Sequence, residues 1–166
     1  MKIIIEISKT CKDWNHHKQL NKKMMANITK KIINRFDNLK QVKIFELSVL
    51  LAGNIEILNL NSKFRGEYKT TNVLSFPDIA LNWKHILEFK PNLNYMYLGD
   101  IAFCYQTITH EATDQHKLFE HHYIHLFVHS VLHLLGFDHQ QEEEALAMEE
   151  METQILQEFT INSPYL

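Results

Sequence analysis

Three histidines near the C-terminal end of the chain are spaced as H-x-x-x-H-x-x-x-x-x-H, and they are His129, His133 and His139. The segment that carries the first two lacks Pro and Gly and predicts a helix, in which residues four apart lie on one face. Gly136 permits the left-handed conformation that ends a helix, so the third histidine can return to the same point from a loop. Three neutral nitrogen ligands with a fourth position left open are typical of a catalytic zinc site.

The same spacing matches the zinc-peptidase pattern H-E-x-x-H-x-x-G-x-x-H, with Gly136 at the glycine position. The catalytic glutamate of that pattern is absent, because Ser130 stands in its place. A serine does not act as a general base near neutral pH, so ordinary peptide hydrolysis is not expected. An ion held by three uncharged ligands keeps its full charge, which lowers the pKa of bound water and attracts an anionic phosphate oxygen.

Other polar residues beside this motif have more than one interpretation. His125 is an alternative ligand, although three ligands on consecutive turns of a straight helix would span about 12 Å of rise. Asp138 is either an acceptor for a ligand imidazole or the N-cap of the next helix, with Gln141 completing a capping box. The glutamates at 142–144 are expected in the first turn of that helix, where its dipole favours them.

Arg65 is one of only two arginines and lies beside Gly66 in a segment that we predict to be a polar loop. Its planar fork of donors suits a phosphodiester, both for binding and for stabilising charge in the transition state. Most arginines in surface loops have no such function, so the residue type and its position make Arg65 a candidate catalytic residue only. The other arginine, Arg35, lies in a predicted basic helix.

Length and composition are those of an ordinary globular protein. The chain has 166 residues, of which 45% are hydrophobic and 22% charged, and we expect one domain over residues 1–166. Cys11 and Cys104 form no C-x-x-C pair, so neither a disulfide framework nor a thiolate metal site is expected. We recognise no signal peptide and no apolar stretch that approaches the roughly 18 residues of a membrane span. We therefore expect a cytoplasmic protein without a membrane partner.

The net charge of −3 conceals an uneven distribution. Residues 1–90 hold 16 of the 17 basic residues and 8 acidic ones, whereas residues 91–166 hold Lys117 and 12 acidic ones. The first part could present a basic surface to phosphates, although lysine-rich helix faces are often merely solvated. The total charge argues against a protein that simply coats nucleic acid.

The hydrophobic pattern predicts mainly strands early in the chain and helices late. Strands are predicted at 2–8, 42–51, 72–76 and 97–105, and helices at 15–36, about 54–63, 106–117, 119–135 and 141–158. Residues 64–71 are expected to be irregular, and 78–96 to form a loop with a helical turn. These elements predict an α+β fold, with a small mixed β-sheet packed with helices.

Three further motifs accompany the histidines, and all four run in a fixed order along the chain. They are Leu60-Asn61 with Phe64-Arg65-Gly66, then residues 71–77 (Thr-Asn-Val-Leu-Ser-Phe-Pro), then residues 98–101 (Leu-Gly-Asp-Ile), and finally residues 129–139. Together they resemble the YbeY family of bacterial rRNA maturation factors, also described as single-strand-specific endoribonucleases. The family's metal motif usually reads His-Gly-x-Leu-His-Leu-x-Gly-Tyr-Asp-His. Ser130 replaces its glycine and Phe137 its tyrosine, and both departures leave the histidines in place.

The resemblance implies a zincin-like metal-binding helix, one zinc ion per chain held by His129, His133 and His139, and Arg65 as the functionally important arginine. It implies a zinc-dependent endoribonuclease, a phosphodiester hydrolase that acts on single-stranded rRNA in 16S rRNA 3′ end maturation and ribosome quality control. Expected partners are the ribosome or a small-subunit precursor, with a ribosomal protein as a further candidate.

Two other interpretations are open on the sequence. One is a ribosome-assembly binding module, in which zinc is only structural and the lysine-rich half docks on rRNA or on a ribosomal protein without catalysis. The other is a peptidase with a displaced general base. Three histidines also suit divalent ions other than zinc.

Overall fold

A computed structural model describes residues 1–91 and 94–165, and in it four strands form one sheet. The strands are β1 (Lys2–Lys9), β2 (Ile44–Ala52), β3 (Val73–Pro77) and β4 (Tyr95–Cys104), in the spatial order β1-β2-β4-β3. The first three strands in this order are parallel, and β3 runs antiparallel to β4 at one edge. The sheet is therefore mixed, as the sequence pattern predicts.

Five α-helices lie within the described residues: α1 (Lys22–Ile33), α2 (Asn54–Arg65), α3 (Tyr105–Asp114), α4 (Phe119–Leu134) and α5 (Glu142–Gln157). Short 3₁₀ helices occupy Lys12–His16, Asp37–Gln41 and Trp83–His85. The predicted α+β architecture is confirmed. None of the helices in the described ranges combines the length and the apolar character that crossing a bilayer requires.

The two faces of the sheet bury different residues because successive side chains alternate between them. Phe45 and Leu47 of β2 belong to the main core, which they share with residues of α1, α4 and α5. Ala52 and Ala102 belong to a smaller cluster with Ile57 of α2. The α4 helix therefore lies in the main core, and α2 lies on the other face.

The α4 helix is buried on more of its circumference than one apolar stripe would explain. Its buried side chains point in several directions around the helix axis, and they include Tyr123, Leu126, Val131, Leu132 and Leu134. Such a helix is held rigidly, so the side chains that it presents to solvent have fixed directions.

Several predicted boundaries were wrong, including the ends of α1 (Ile33, not residue 36) and α3 (Asp114, not residue 117). The causes of two further differences are clear in the structure. The first helix begins at Lys22 and not near residue 15, because the side chain of Asn21 accepts a hydrogen bond from the backbone N–H of Met24 and caps it. The second helix runs to Arg65, because Gly66 adopts the left-handed conformation (φ 69°) that ends it. Arg65 is thus the last residue of a helix, not part of a loop.

The end of α4 is the turn that the sequence predicts at Gly136. Its φ is 87°, and the N–H of Phe137 returns to the carbonyl of Leu132 at 3.1 Å. The carbonyl of Gly136 accepts from the N–H of Trp83 at 3.1 Å, so the segment after β3 is joined to this turn. A Cβ at Gly136 would lie 2.3 Å from the carbonyl oxygen of Leu81. Only glycine fits this position without displacement of the neighbouring backbone.

Substitution of Gly136 by Ala is expected to lower the free energy of unfolding by about 2–4 kcal/mol, through the positive φ and the backbone overlap. Gly66→Ala is the matched control, because Gly66 also has a positive φ but no atom lies within 4 Å of an added Cβ. The control should lose about 1–2 kcal/mol. Urea unfolding followed by circular dichroism measures both, and equal losses would contradict the overlap at Gly136.

Candidate metal centre

Three imidazoles converge at the C-terminal end of α4. His129 and His133 lie four residues apart on this helix, and their Nε2 atoms are 3.0 Å apart. His139 follows the Gly136 turn, and its ring centroid lies 5.7 Å from that of His129 and 5.2 Å from that of His133. One ring nitrogen of each residue lies within 4.8 Å of the other two. Tetrahedral zinc sites separate ligand nitrogens by about 3.3 Å, so small side-chain movements would let the three histidines hold a metal ion.

The two helical rings are fixed in the tautomer that a metal requires. The Nδ1 of His129 donates to Oε1 of Glu152 at 2.7 Å, and the Nδ1 of His133 donates to the carbonyl of Phe137 at 2.8 Å. A neutral imidazole with hydrogen on Nδ1 presents the lone pair of Nε2. Two such lone pairs 3.0 Å apart repel each other unless a cation compensates them. The donor set therefore fits a divalent metal ion.

His133 is a neutral ligand candidate at physiological pH. Burial, followed by the charges of His129 and His139, lowers the pKa of His133 to about 4. Metal ligands must be deprotonated before they bind. No proton has to be displaced from this ring when a metal arrives at neutral pH.

The carboxylate of Glu152 reaches the centre from α5 and is completely buried. Besides the bond to His129, its Oε2 accepts from Nε2 of His125 at 2.9 Å and from the hydroxyl of Tyr165. Burial alone would raise the pKa of Glu152, but hydrogen bonds from His125 and His129 outweigh this effect and hold the pKa at about 2. An ionised carboxylate behind an imidazole orients the ring and makes it a better ligand.

Sequence reasoning missed Glu152, although a signal was present. Met148 and Ile155 form the buried face of α5, and Glu152 lies on that same face, four residues after one and three before the other. A carboxylate on a buried face requires a partner. Periodicity can show that such a partner exists, but only the packing of α5 against α4 identifies His129.

The structure gives His125 and Asp138 contacts that differ from the roles considered for them in the sequence. His125 lies outside the three-histidine cluster, and its Nε2 contacts the buried α5 carboxylate. Asp138 is not the N-cap of α5: that position is Gln141, and Asp138 instead accepts a hydrogen bond from the backbone N–H of His139 at 2.8 Å. The glutamates at 142–144 occupy the first turn of α5, as predicted.

A groove of about 880 Å³ opens in front of the three histidines. Arg65 at the end of α2 lines this groove together with all three of them, so the structure brings the four predicted site residues together. Lys69 and Glu67 are also in the lining and form an ion pair with each other at 2.7 Å. Arg35, in contrast, does not line the groove and pairs with Glu158.

Ser130 occupies the position at which zinc peptidases carry their general base. Its side chain is completely buried, its Oγ has no hydrogen-bond partner in the described part of the chain, and it does not line the groove. A base at this position is therefore excluded by orientation as well as by residue type.

Comparisons with known proteins agree with this architecture. The family model described as "Endoribonuclease YbeY" matches residues 10–160, which is nearly the whole chain. The solution structure of TM1509 from Thermotoga maritima superposes with a TM-score of 0.54 at 24% sequence identity. The match covers 95% of this chain and 92% of that protein. At this level of identity the structural match shows a shared fold.

Glu152→Gln is expected to weaken zinc binding by about 10–100-fold, because an amide in place of the carboxylate no longer orients and polarises His129. Competition with a chromogenic chelator at neutral pH measures the affinity. Glu150→Gln is the control, since Glu150 lies on the exposed side of the same helix. Equal affinities for the two variants would show that Glu152 does not support the metal centre.

The lowered pKa of Glu152 makes the free energy of unfolding depend on pH in the acidic range. Its pKa falls from the ordinary 4.5 to about 2 on folding, so ionised Glu152 stabilises the fold above pH 4.5, and this contribution disappears as the pH falls towards 2. The contribution is on the order of 3 kcal/mol. We expect the difference in unfolding free energy between the metal-free wild type and Glu152→Gln to shrink over that interval. A difference that stays constant from pH 6 to pH 2 would contradict the lowered pKa.

Proposed function

The chain belongs to the YbeY family of endoribonucleases, and on this premise we propose that it is a zinc-dependent endoribonuclease that cuts single-stranded rRNA. The main support for the proposal is that the three histidines and Arg65 line one groove. Three histidines, two of them fixed with their Nε2 atoms presented, line the same groove as Arg65. The family acts in rRNA processing, and the site supplies groups suited to a phosphodiester.

The histidines and Arg65 have separate tasks in this proposal. His129, His133 and His139 hold one zinc ion, which supplies Lewis-acid polarisation of a phosphate oxygen and activation of water when it is bound. Arg65 donates two parallel hydrogen bonds to the phosphate, orients it, and stabilises the negative charge that develops in the transition state. Lys69 lies in the same lining, but its ion pair with Glu67 balances its charge.

The burial of the site supports a single-stranded substrate. His129 and His133 are half-buried at the base of the groove, so the scissile phosphate must enter it. A splayed single strand can bring one phosphate into a groove, whereas a stacked duplex holds its phosphates on the rim of a regular helix. We place this activity in cytoplasmic 16S rRNA 3′ end maturation and ribosome quality control. The partners are the ribosome or a small-subunit precursor, with a ribosomal protein as a further partner.

Two observations disfavour a binding module with structural zinc. The metal-ligand candidates in the described residues form a group of three, whereas structural zinc sites usually close the tetrahedron with four protein ligands. Several cations of the basic half are engaged within the protein, as Lys31 and Arg35 are with Glu158. The lysine-rich surface is therefore less available to a partner than the sequence suggests.

Arg65→Ala should reduce kcat/KM for cleavage of single-stranded RNA by about 100–1,000-fold, the usual loss when one preorganised donor to a developing charge is removed. Arg65→Lys should recover little of it, because an ammonium cannot make the paired hydrogen bonds. The other arginine provides the control, and Arg35→Ala should cleave at nearly the wild-type rate. The assay follows fragments of a labelled RNA on a denaturing gel.

The same assay separates catalysis from simple binding. His129→Ala that remains folded should lose both bound zinc, measured by mass spectrometry of the metal, and cleavage. Mapping of the fragment ends then identifies the nucleophile, since attack by the 2′-OH leaves a 2′,3′-cyclic phosphate and attack by water leaves a monophosphate. Unimpaired cleavage by folded His129→Ala or Arg65→Ala would refute the catalytic proposal and favour the binding module.

A further inference from the structure

A second cleft begins at the metal centre and continues beyond the main groove. Its first hollow, of about 320 Å³, shares Asn72 and His129 with the main groove. Its second hollow, of about 370 Å³, shares Lys117, His122 and His125 with the first. We call these two hollows together the distal cleft. The distal cleft therefore adjoins the main groove, and Asn72 and His129 line both.

The distal cleft contains the one basic residue of the acidic half of the chain. Residues 91–166 hold 12 acidic residues and a single Lys or Arg, which is Lys117. Its side chain is exposed and lines both hollows. Near it the lining adds His116, His121, Asn162 and Ser163. Ammonium, imidazole, amide and hydroxyl donors are the groups that contact the phosphates and sugars of nucleic acids.

The carboxylate in this lining is already engaged. Glu111 accepts from Nε2 of His122 at 2.7 Å, and Asn72 donates to both of its oxygens, at 3.2 and 3.0 Å. Burial acts to raise the pKa of Glu111, but these hydrogen bonds reverse the effect and lower it. Hydrogen bonds from His122 and Asn72 thus occupy both oxygens of Glu111. Lys117 is the group in the cleft with a permanent charge available to an anion.

The backbone around the distal cleft is held in an uncommon conformation. His116 and Thr160 are the non-glycine residues with positive φ in the described chain, at 51° and 59°, and both line the cleft. This region costs an L residue about 1–2 kcal/mol, and it is rare for a β-branched residue such as Thr. At His116 it turns the chain so that the N–H of Lys117 bonds to the carbonyl of Ala112 at 2.9 Å. His116 and Thr160 are the left-handed residues that follow α3 and α5, and the turn at His116 sets the position at which Lys117 leaves the helix.

We propose that the distal cleft binds the RNA backbone on the far side of the scissile phosphate, with Lys117 as its phosphate contact. The inference rests on the proposed function and extends it. An endonuclease must hold the strand on both sides of the bond that it cuts. In this proposal the main groove at Arg65 holds one side, and the distal cleft, which adjoins the groove at His129, holds the other side at Lys117.

The test measures binding of a fluorescent single-stranded RNA to the metal-free protein, kept with a chelator so that the RNA stays intact. Lys117→Ala should weaken binding by about 3–10-fold and reduce the slope of log affinity against log salt by about 0.7, the value for one phosphate contact on a single strand. Lys117→Arg should bind like the wild type. Lys23→Ala, an exposed lysine of α1 outside both the main groove and the distal cleft, is the control.

Successive trimming of the RNA from each end locates the contact. The effect of Lys117→Ala should vanish when the strand is shortened from one end and persist when it is shortened from the other. An effect equal to that of Lys23→Ala, or one lost equally from both ends, would overturn the inference. Cleavage by the metal-loaded wild type is measured separately. A wild type that binds with this polarity but never cleaves would refute the proposed function. It would still support RNA binding by the distal cleft.

Discussion

The hydrogen bond between Glu152 and His129 is the interaction on which the candidate metal centre depends. It joins α5 to α4 inside the protein, and its carboxylate has no contact with water. Removing one partner from such a pair leaves a buried charge without compensation, which costs far more than the pair contributes. The bond also decides which nitrogen of His129 faces the groove. The carbonyl of Phe137 does the same for His133, and it is in reach because Gly136 turns the chain.

The basic first half and the acidic second half of the chain partly neutralise each other in the folded protein. Contacts such as Lys31 and Arg35 with Glu158 join the basic and acidic halves and neutralise part of each. Arg65 lines the main groove, Lys117 lines the distal cleft, and His129 lines both. An RNA strand bound as proposed would meet positive charge in each of them, even though the protein as a whole is slightly acidic.

The histidine cluster could be predicted from sequence because its geometry is local: His129 and His133 are one helical turn apart, and a glycine returns the third ligand. The strands and the α+β class followed from hydrophobic periodicity for the same reason. Contacts between elements distant in sequence could not be predicted in this way. The sequence contains Glu152 and Lys117 but does not show that one faces His129 or that the other lines a cleft beside it. The polar residues around Arg65 predict a loop, whereas Gly66 in its left-handed conformation extends the helix to Arg65.

X-ray absorption spectroscopy of the zinc-loaded protein can show whether His129, His133 and His139 bind one ion, because it counts and identifies the atoms around the metal. We expect three imidazole nitrogens at about 2.0–2.1 Å and a fourth light ligand that does not come from the protein. The imidazole contribution should fall by one ligand in His139→Ala. A fourth protein ligand, or a spectrum unchanged by that substitution, would contradict an open three-histidine site.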